Sequence, residues 1–265
     1  MPYYRFENME QLRTNPHLSS GKGAVVNGKF LTLRNNNKDA GTGSQLHYHP
    51  NELMIYPISG KINSVVGKDQ RIVEAGTFVH VPPNARHSMK ACEDGPISYL
   101  YCKDNTWTLA GIAADEAPPD EAPSIDELTA KHDAGIYPGK EKMPEASEAV
   151  VEGLNNCFYQ LSEGPDAPTQ STRAIKIIEG HRINFVLVDS PDGKLEKMSA
   201  APHERFMYIM SGAADSEIEG EKKSVGSGDL LHVPKGSSYS LVTKVEPTRY
   251  CYFESTDFLE AQIEE

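Results

Sequence analysis

The strongest constraint on this chain is that its sequence is written twice. Gly28 pairs with Gly180, Glu52 with Glu204, Tyr56 with Tyr208 and Gly60 with Gly212. Gly76 then pairs with Gly228, His80 with His232 and Pro82 with Pro234, and every pair is 152 residues apart. A constant offset from Gly28 to Pro82 means two copies of one structural unit, with no insertion inside either. Downstream, Pro96, Tyr99 and Tyr101 match Pro247, Tyr250 and Tyr252 at an offset of 151. The copies span roughly residues 24–108 and 176–259.

Each copy reads as β-structure. Short β-type runs recur at hairpin spacing in the first: Lys29–Leu33, Leu53–Ile58, Lys61–Val66, Arg71–Val73, Thr77–Val81 and Ile97–Cys102. Turn residues such as Asn27-Gly28 and Ser59-Gly60 separate them, which is the pattern of an antiparallel barrel or sandwich. Residues 1–23 are an entry segment with a short extended stretch at Tyr3–Phe6. Between the copies, residues 114–123 are acidic, proline-rich and aperiodic, as in a linker or strapped loop. Ser124 and Glu127 then form a capping box for a short helix through about His132, stopped at Gly135. His132 is expected to be a solvated residue of that helix. A second helical stretch is expected from about Glu145 to Leu154, and a terminal helix from about Thr256 to Ile263, packing Phe258 and Leu259. The expected boundaries are a first barrel at 1–112, a linker with short helices at 113–155 and a second barrel at 156–265.

The residues that carry chemistry lie in the first copy. His47 and His49 stand at i and i+2, which on a strand places both on one face. His87 comes after a second strand stopped by Pro82-Pro83-Asn84. With the two strands side by side, three imidazoles converge on one point, as a metal ion requires. Strict alternation from His49 turns Glu52 outward, whereas a bulge at Pro50-Asn51 would bring it back.

At these residues the chain resembles the cupin superfamily, whose first motif is G-x5-H-x-H-x3/4-E-x6-G and whose second is G-x5-P-x-G-x2-H. The first is matched by Gly41 or Gly43, His47, His49 and Gly60, and the second by Gly76, Pro82 and His87, with Asn84 in place of a glycine. The resemblance implies an all-β fold of two tandem cupin jelly-roll barrels, a bicupin. The family's metal-binding glutamate falls on Leu53, so three histidines stand without it. In the second copy His47, His49 and His87 correspond to Ser199, Ala201 and Tyr239, so that barrel is degenerate and expected to support the fold or an interface. Alternation places His203 inward with Ala201 and Arg205. His80/His232, Glu52/Glu204 and Tyr56/Tyr208 persist in the copy without ligands, which points to structural roles. The layout is similar to that of the gentisate and salicylate dioxygenases, whose metal lies in the first barrel.

Three neutral imidazoles leave the charge of a divalent ion uncompensated and favour an anionic, chelating oxygen ligand. The leading expectation is therefore an Fe(II) dioxygenase acting on a small aromatic or enolisable substrate, with Leu53 as an apolar wall. The alternatives are a non-redox isomerase, lyase, cyclase or hydrolase using Zn, Mn or Ni as a Lewis acid, or a barrel that binds a small molecule without catalysis. An inward Glu52 would favour proton transfer, and an apolar pocket around Leu53 would favour oxygen chemistry. The net charge of −12 opposes nucleic-acid and anionic membrane partners. The start of the chain has no apolar signal core, and no apolar run reaches membrane-spanning length, so a cytoplasmic location is expected. Cys92, Cys102, Cys157 and Cys251 have no C-x-x-C spacing and read as reduced thiols. Monomer and homodimer both fit.

Overall fold

The computed structural model describes residues 2–13, 15–107, 111–121, 124, 126–127, 130, 133–134, 157–162, 169–170, 172–244 and 247–264. His132 and the expected helix at 145–154 lie outside them. In chain order the strands are β1 (Tyr3–Arg5), β2 (Lys22–Asn27), β3 (Leu31–Lys38), β4 (His47–Tyr48), β5 (Leu53–Ser59), β6 (Ile62–Val66) and β7 (Asp69–Val73). Next come β8 (Thr77–Val81), β9 (His87–Ala91), β10 (Ile97–Asp104), β11 (Ile112–Ala113) and β12 (Phe158–Gln160). The second copy supplies β13 (Ala174–Glu179), β14 (Ile183–Ser190), β15 (Leu195–Met198), β16 (Arg205–Ser211) and β17 (Ala213–Ile218). It continues with β18 (Glu221–Gly226), β19 (Asp229–Val233), β20 (Tyr239–Thr243) and β21 (Thr248–Ser255), and closes with helix α1 (Asp257–Glu264). The all-β expectation holds.

The chain divides into two compact units, one of Glu10–Val25 with Arg34–Asp166 and one of Met1–Met9, Val26–Leu33 and Ala167–Glu265. In the first, a six-stranded sheet β12-β8-β5-β10-β3-β2 faces a five-stranded sheet β11-β4-β9-β6-β7. Ile55, Val79, Val81 and Tyr99 from one sheet meet Ile62, Val66, Met89 and Ala91 from the other in a buried core. Alternation along each strand turns one side of each sheet into that core. The other unit repeats the plan with sheets β1-β19-β16-β21-β14-β13 and β15-β20-β17-β18. Its core combines Val186, Val188, Met207 and Tyr250 with Ala214, Ile218, Val225 and Leu241.

The lead strands are exchanged. β1 precedes the first copy but pairs with β19, setting Tyr3 opposite Leu231 and Arg5 opposite Asp229. β12 precedes the second copy and pairs with β8, setting Phe158 opposite Val79. The boundaries read from the sequence carry no sign of this exchange. The composition of a short strand says that it pairs, not which sheet edge receives it.

The repeated residues have local explanations. Asn84 adopts φ 64° and its counterpart Gly236 φ 83°, so the asparagine fills a left-handed position of the turn before β9. Glu204 is buried and its two oxygens accept four hydrogen bonds. Oε1 takes Lys29 N at 2.8 Å and His232 Nε2 at 2.9 Å, and Oε2 takes Phe30 N and Leu31 N, both at 2.8 Å. In the first copy His80 Nε2 stands 2.8 Å from Glu52 Oε1 in the same way. The helix after β21 forms, capped by Thr256 Oγ1 on Leu259 N at 3.3 Å. Leu259 is buried as expected, while Phe258 remains 43% exposed, its ring 3.8 Å from that of His181. Ser124 Oγ accepts from Glu127 N at 3.2 Å, as a capping box requires. All four cysteines are free thiols. Among the described residues no helix is long and apolar enough to cross a membrane.

Removing the Glu204 carboxylate leaves buried amides of the β2–β3 turn without an acceptor. We expect Glu204→Ala to cost on the order of 3 kcal/mol in urea unfolding, and Thr32→Val, on the same strand but away from the carboxylate, to cost clearly less.

Candidate metal centre

The three histidines meet because two short strands pair. β4 is only two residues long, and His47 lies directly opposite His87 at the start of β9. His49 falls just past the end of β4, so strand alternation alone does not place it. The Asn84 amide donates to the His49 carbonyl at 2.9 Å, tying the Pro82–His87 turn to the segment that carries His47 and His49. Asn51 and Asp104 then anchor the chain between His49 and β5. Asp104 Oδ1 accepts from Asn51 Nδ2 at 3.0 Å and from Thr106 N at 2.9 Å, and its Oδ2 accepts from Glu52 N at 2.6 Å.

Each imidazole is oriented by a backbone carbonyl two residues away. His47 Nδ1 lies 2.8 Å from Gln45 O, His49 Nδ1 3.3 Å from Asn51 O, and His87 Nδ1 2.9 Å from Ala85 O. A carbonyl only accepts, so each Nδ1 carries the proton and each Nε2 presents a lone pair. The ring centroids are 4.3, 4.9 and 6.1 Å apart, and one ligand nitrogen from each ring lies within 4.8 Å of the others. His87 Nε2 is buried with no hydrogen-bond partner. Burial and the neighbouring rings push His47 and His49 well below the usual imidazole range and take His87 down to about 3. Three neutral nitrogens, a shared focus and an orphaned lone pair fit a divalent ion.

Glu52 does not join them. The chain is irregular between His49 and Leu53, but the carboxylate turns to His80 instead of the histidines. Leu53 lines the site, with Ile55 and Met89 beside it. These three residues and the histidines border a cavity of about 50 Å³ whose remaining lining is largely polar: Asn15, Arg34, Asn36, Lys38, Tyr99 and Tyr101 among them. Among the described residues no carboxylate lines it. Burial lowers the Lys38 ammonium to about 7 and raises the Tyr99 phenol to about 12.

The polar wall is not among the sequence expectations. The β-type run there ends at Leu33, whereas β3 continues through Lys38. The available signal is the alternation of Arg34, Asn36 and Lys38, a two-residue period continuing the strand.

In the second copy the corresponding positions are Ser199, Ala201 and Tyr239, none of them an imidazole. Arg205, which takes the place of Leu53, donates from Nη1 to the Tyr239 hydroxyl at 2.6 Å and pairs with Glu254. A tethered guanidinium thus sits beside the residue that replaces His87. His203 departs from expectation. It does not face inward with Ala201 and Arg205, because β16 begins only at Arg205 and alternation does not extend back to it. Its Nδ1 lies 3.2 Å from Glu260 of α1, whose other oxygen is held by Lys235 Nζ at 2.7 Å.

Comparison with known proteins agrees with this architecture. The cupin domain family matches residues 39–102. An oxalate decarboxylase structure, determined for its substrate binding mode and reaction-specificity switch, is similar with a TM-score of 0.66 and 19% identity, covering 97% of this chain and 77% of that one. A Bacillus subtilis oxalate decarboxylase structure, studied for its Mn(II) centres, is similar with a TM-score of 0.66 and 19% identity, covering 97% and 78%. No curated protein sequence matches the chain. Residues 39–102 are thus a cupin domain by sequence, and the doubled two-sheet architecture along nearly the whole chain has the bicupin fold.

Proposed function

We propose that this chain is a metal-dependent cupin enzyme, in which His47, His49 and His87 hold one divalent ion and a small oxygen-chelating substrate is processed by non-redox chemistry of the lyase type. The observation that carries the reading is the convergence of three buried imidazoles whose tautomers are fixed by backbone carbonyls. When bound, a divalent ion supplies a Lewis acid that polarises a coordinated carbonyl or carboxylate oxygen. Leu53 offers no charge to that centre, so the substrate's own anionic oxygen completes it. Tyr99 and Tyr101, both raised by burial, keep their phenol protons and serve as neutral donors to an oxygen that gains charge. Leu53, Ile55 and Met89 exclude water from one side of the cavity. The polar remainder of the lining favours polar chemistry on a carboxylate or carbonyl, and the likeness to oxalate decarboxylase, with Mn(II) centres in one of the structures, supports the same class.

A second reading, an Fe(II) dioxygenase acting on a chelating substrate, draws on one observation: an apolar Leu53 beside three neutral ligands. Metal analysis and oxygen uptake separate the two. Protein purified without oxygen is expected to hold one divalent ion per chain, and the His47→Ala, His87→Ala double variant to hold none. Manganese or zinc without oxygen uptake supports the lyase-type reading. Iron with substrate-dependent oxygen uptake moves the conclusion to the dioxygenase, and metal content independent of these histidines sinks both.

The supporting residues give two further expectations. Asp104→Ala frees Asn51 and through it His49, and should weaken metal binding by about 10- to 100-fold in a competition titration. In metal-free protein, the three imidazoles are neutral when folded and protonate near 6.5 when unfolded. The unfolded state therefore binds more protons below that pH, and stability falls as pH drops from about 7 toward 4. Each imidazole contributes up to about 1.4 kcal/mol per pH unit, reached below about pH 5.5 where the unfolded ring is fully protonated. Thermal melts should show a shallower pH slope for the double variant than for the wild type.

A further inference from the structure

Arg34, Asn36 and Lys38 alternate along β3 and share the face that lines the cavity beside the three histidines. All three are buried, at 4%, 8% and 4% exposure. The repeat provides a control inside the same molecule. At the offset of 152 the corresponding residues of β14 are Val186, Val188 and Ser190, and both valines belong to the apolar core of that copy. The fold therefore builds this strand with apolar side chains. The polar trio occurs in the copy that has the histidines and is missing from the copy that lacks them.

A buried ammonium is costly unless an anion or several acceptors meet it. Lys38 gives one N–H to the Met89 carbonyl at 2.6 Å and lies 5.8 Å from the Tyr99 ring centroid. No carboxylate pairs with it among the described residues, and two of its three donors have no acceptor there. Asn36 donates to the Tyr99 hydroxyl, leaving that hydroxyl its own proton to give, while Asn36 Oδ1 is buried without a partner. The cavity, about 50 Å³, has room for only a small molecule.

We infer that Lys38, supported by Asn36 and Tyr99, is a specificity-determining residue that holds a carboxylate of a small anionic substrate whose other oxygens reach His47, His49 and His87. The inference rests on the histidines being the place where substrate is held, and it names the class: short-chain carboxylates carrying a second oxygen function. A charge-assisted pair inside a buried cavity accounts for keeping a lysine where the sister copy keeps serine.

The test uses the full chain after chelator treatment, so that binding is read without any ion. Malonate and its uncharged analogue malonamide are titrated by calorimetry and by thermal shift. Wild type is expected to bind malonate at least tenfold more tightly than malonamide. Lys38→Met should lose that preference with its circular dichroism unchanged, and Lys38→Arg should retain part of it. A wild type that does not prefer malonate, or a folded Lys38→Met that prefers it as strongly, overturns the inference. If Lys38→Met does not fold, Lys38→Gln takes its place, and the wild-type comparison decides by itself in the negative case. Because no metal is present, failure here leaves the metal reading standing, and failure of the metal analysis leaves this result standing.

Discussion

Three hydrogen bonds of the shortest kind set up the site: an imidazole Nδ1 bonded to a carbonyl two residues away, repeated at Gln45, Asn51 and Ala85. Each is local, so each survives small movements of the sheets around it. Together they decide which nitrogen of each ring is free and where it points. Burial then removes the competing proton, since a charged imidazole in this cavity would be poorly solvated and close to two others. The centre is thus preorganised by backbone and desolvation, with Asp104 acting only at one remove, through Asn51.

The doubled sequence sorts residues by role more sharply than either copy could alone. Glu204 with His232, and Glu52 with His80, form the same pair in both units, and a pair kept beside both a histidine centre and none is architecture. The left-handed turn position is likewise filled twice, by Asn84 and by Gly236. What differs clusters on one inner surface. Imidazoles give way to Ser199, Ala201 and Tyr239, Leu53 gives way to Arg205, and the polar trio of β3 gives way to Val186, Val188 and Ser190. A guanidinium bonded to Tyr239 supplies positive charge in the second unit without any ligand.

Much of this is legible in the residues. Spacing alone locates the repeat, the β-class and the three histidines, because two-residue alternation and fixed turn positions leave a direct trace, while the absent glutamate shows only through the resemblance to the cupin motif. Other features leave none. Alternation misplaces His203 because the segment before Arg205 is not strand. Apolar character assigns Phe258 to packing, whereas the helix turns it toward solvent and His181. Arg34, Asn36 and Lys38 resemble a loop after Leu33 until the sheet that buries them is seen.

The exchanged lead strand has a consequence in time as well as in space. β1 is synthesised well before its partner β19. Until β19 is made Tyr3–Arg5 has no native edge to join, and β19 then keeps an unpaired row of amides until β1 reaches it. The order of translation therefore cannot be the order of completion: a segment made early is seated late, after the strand that receives it.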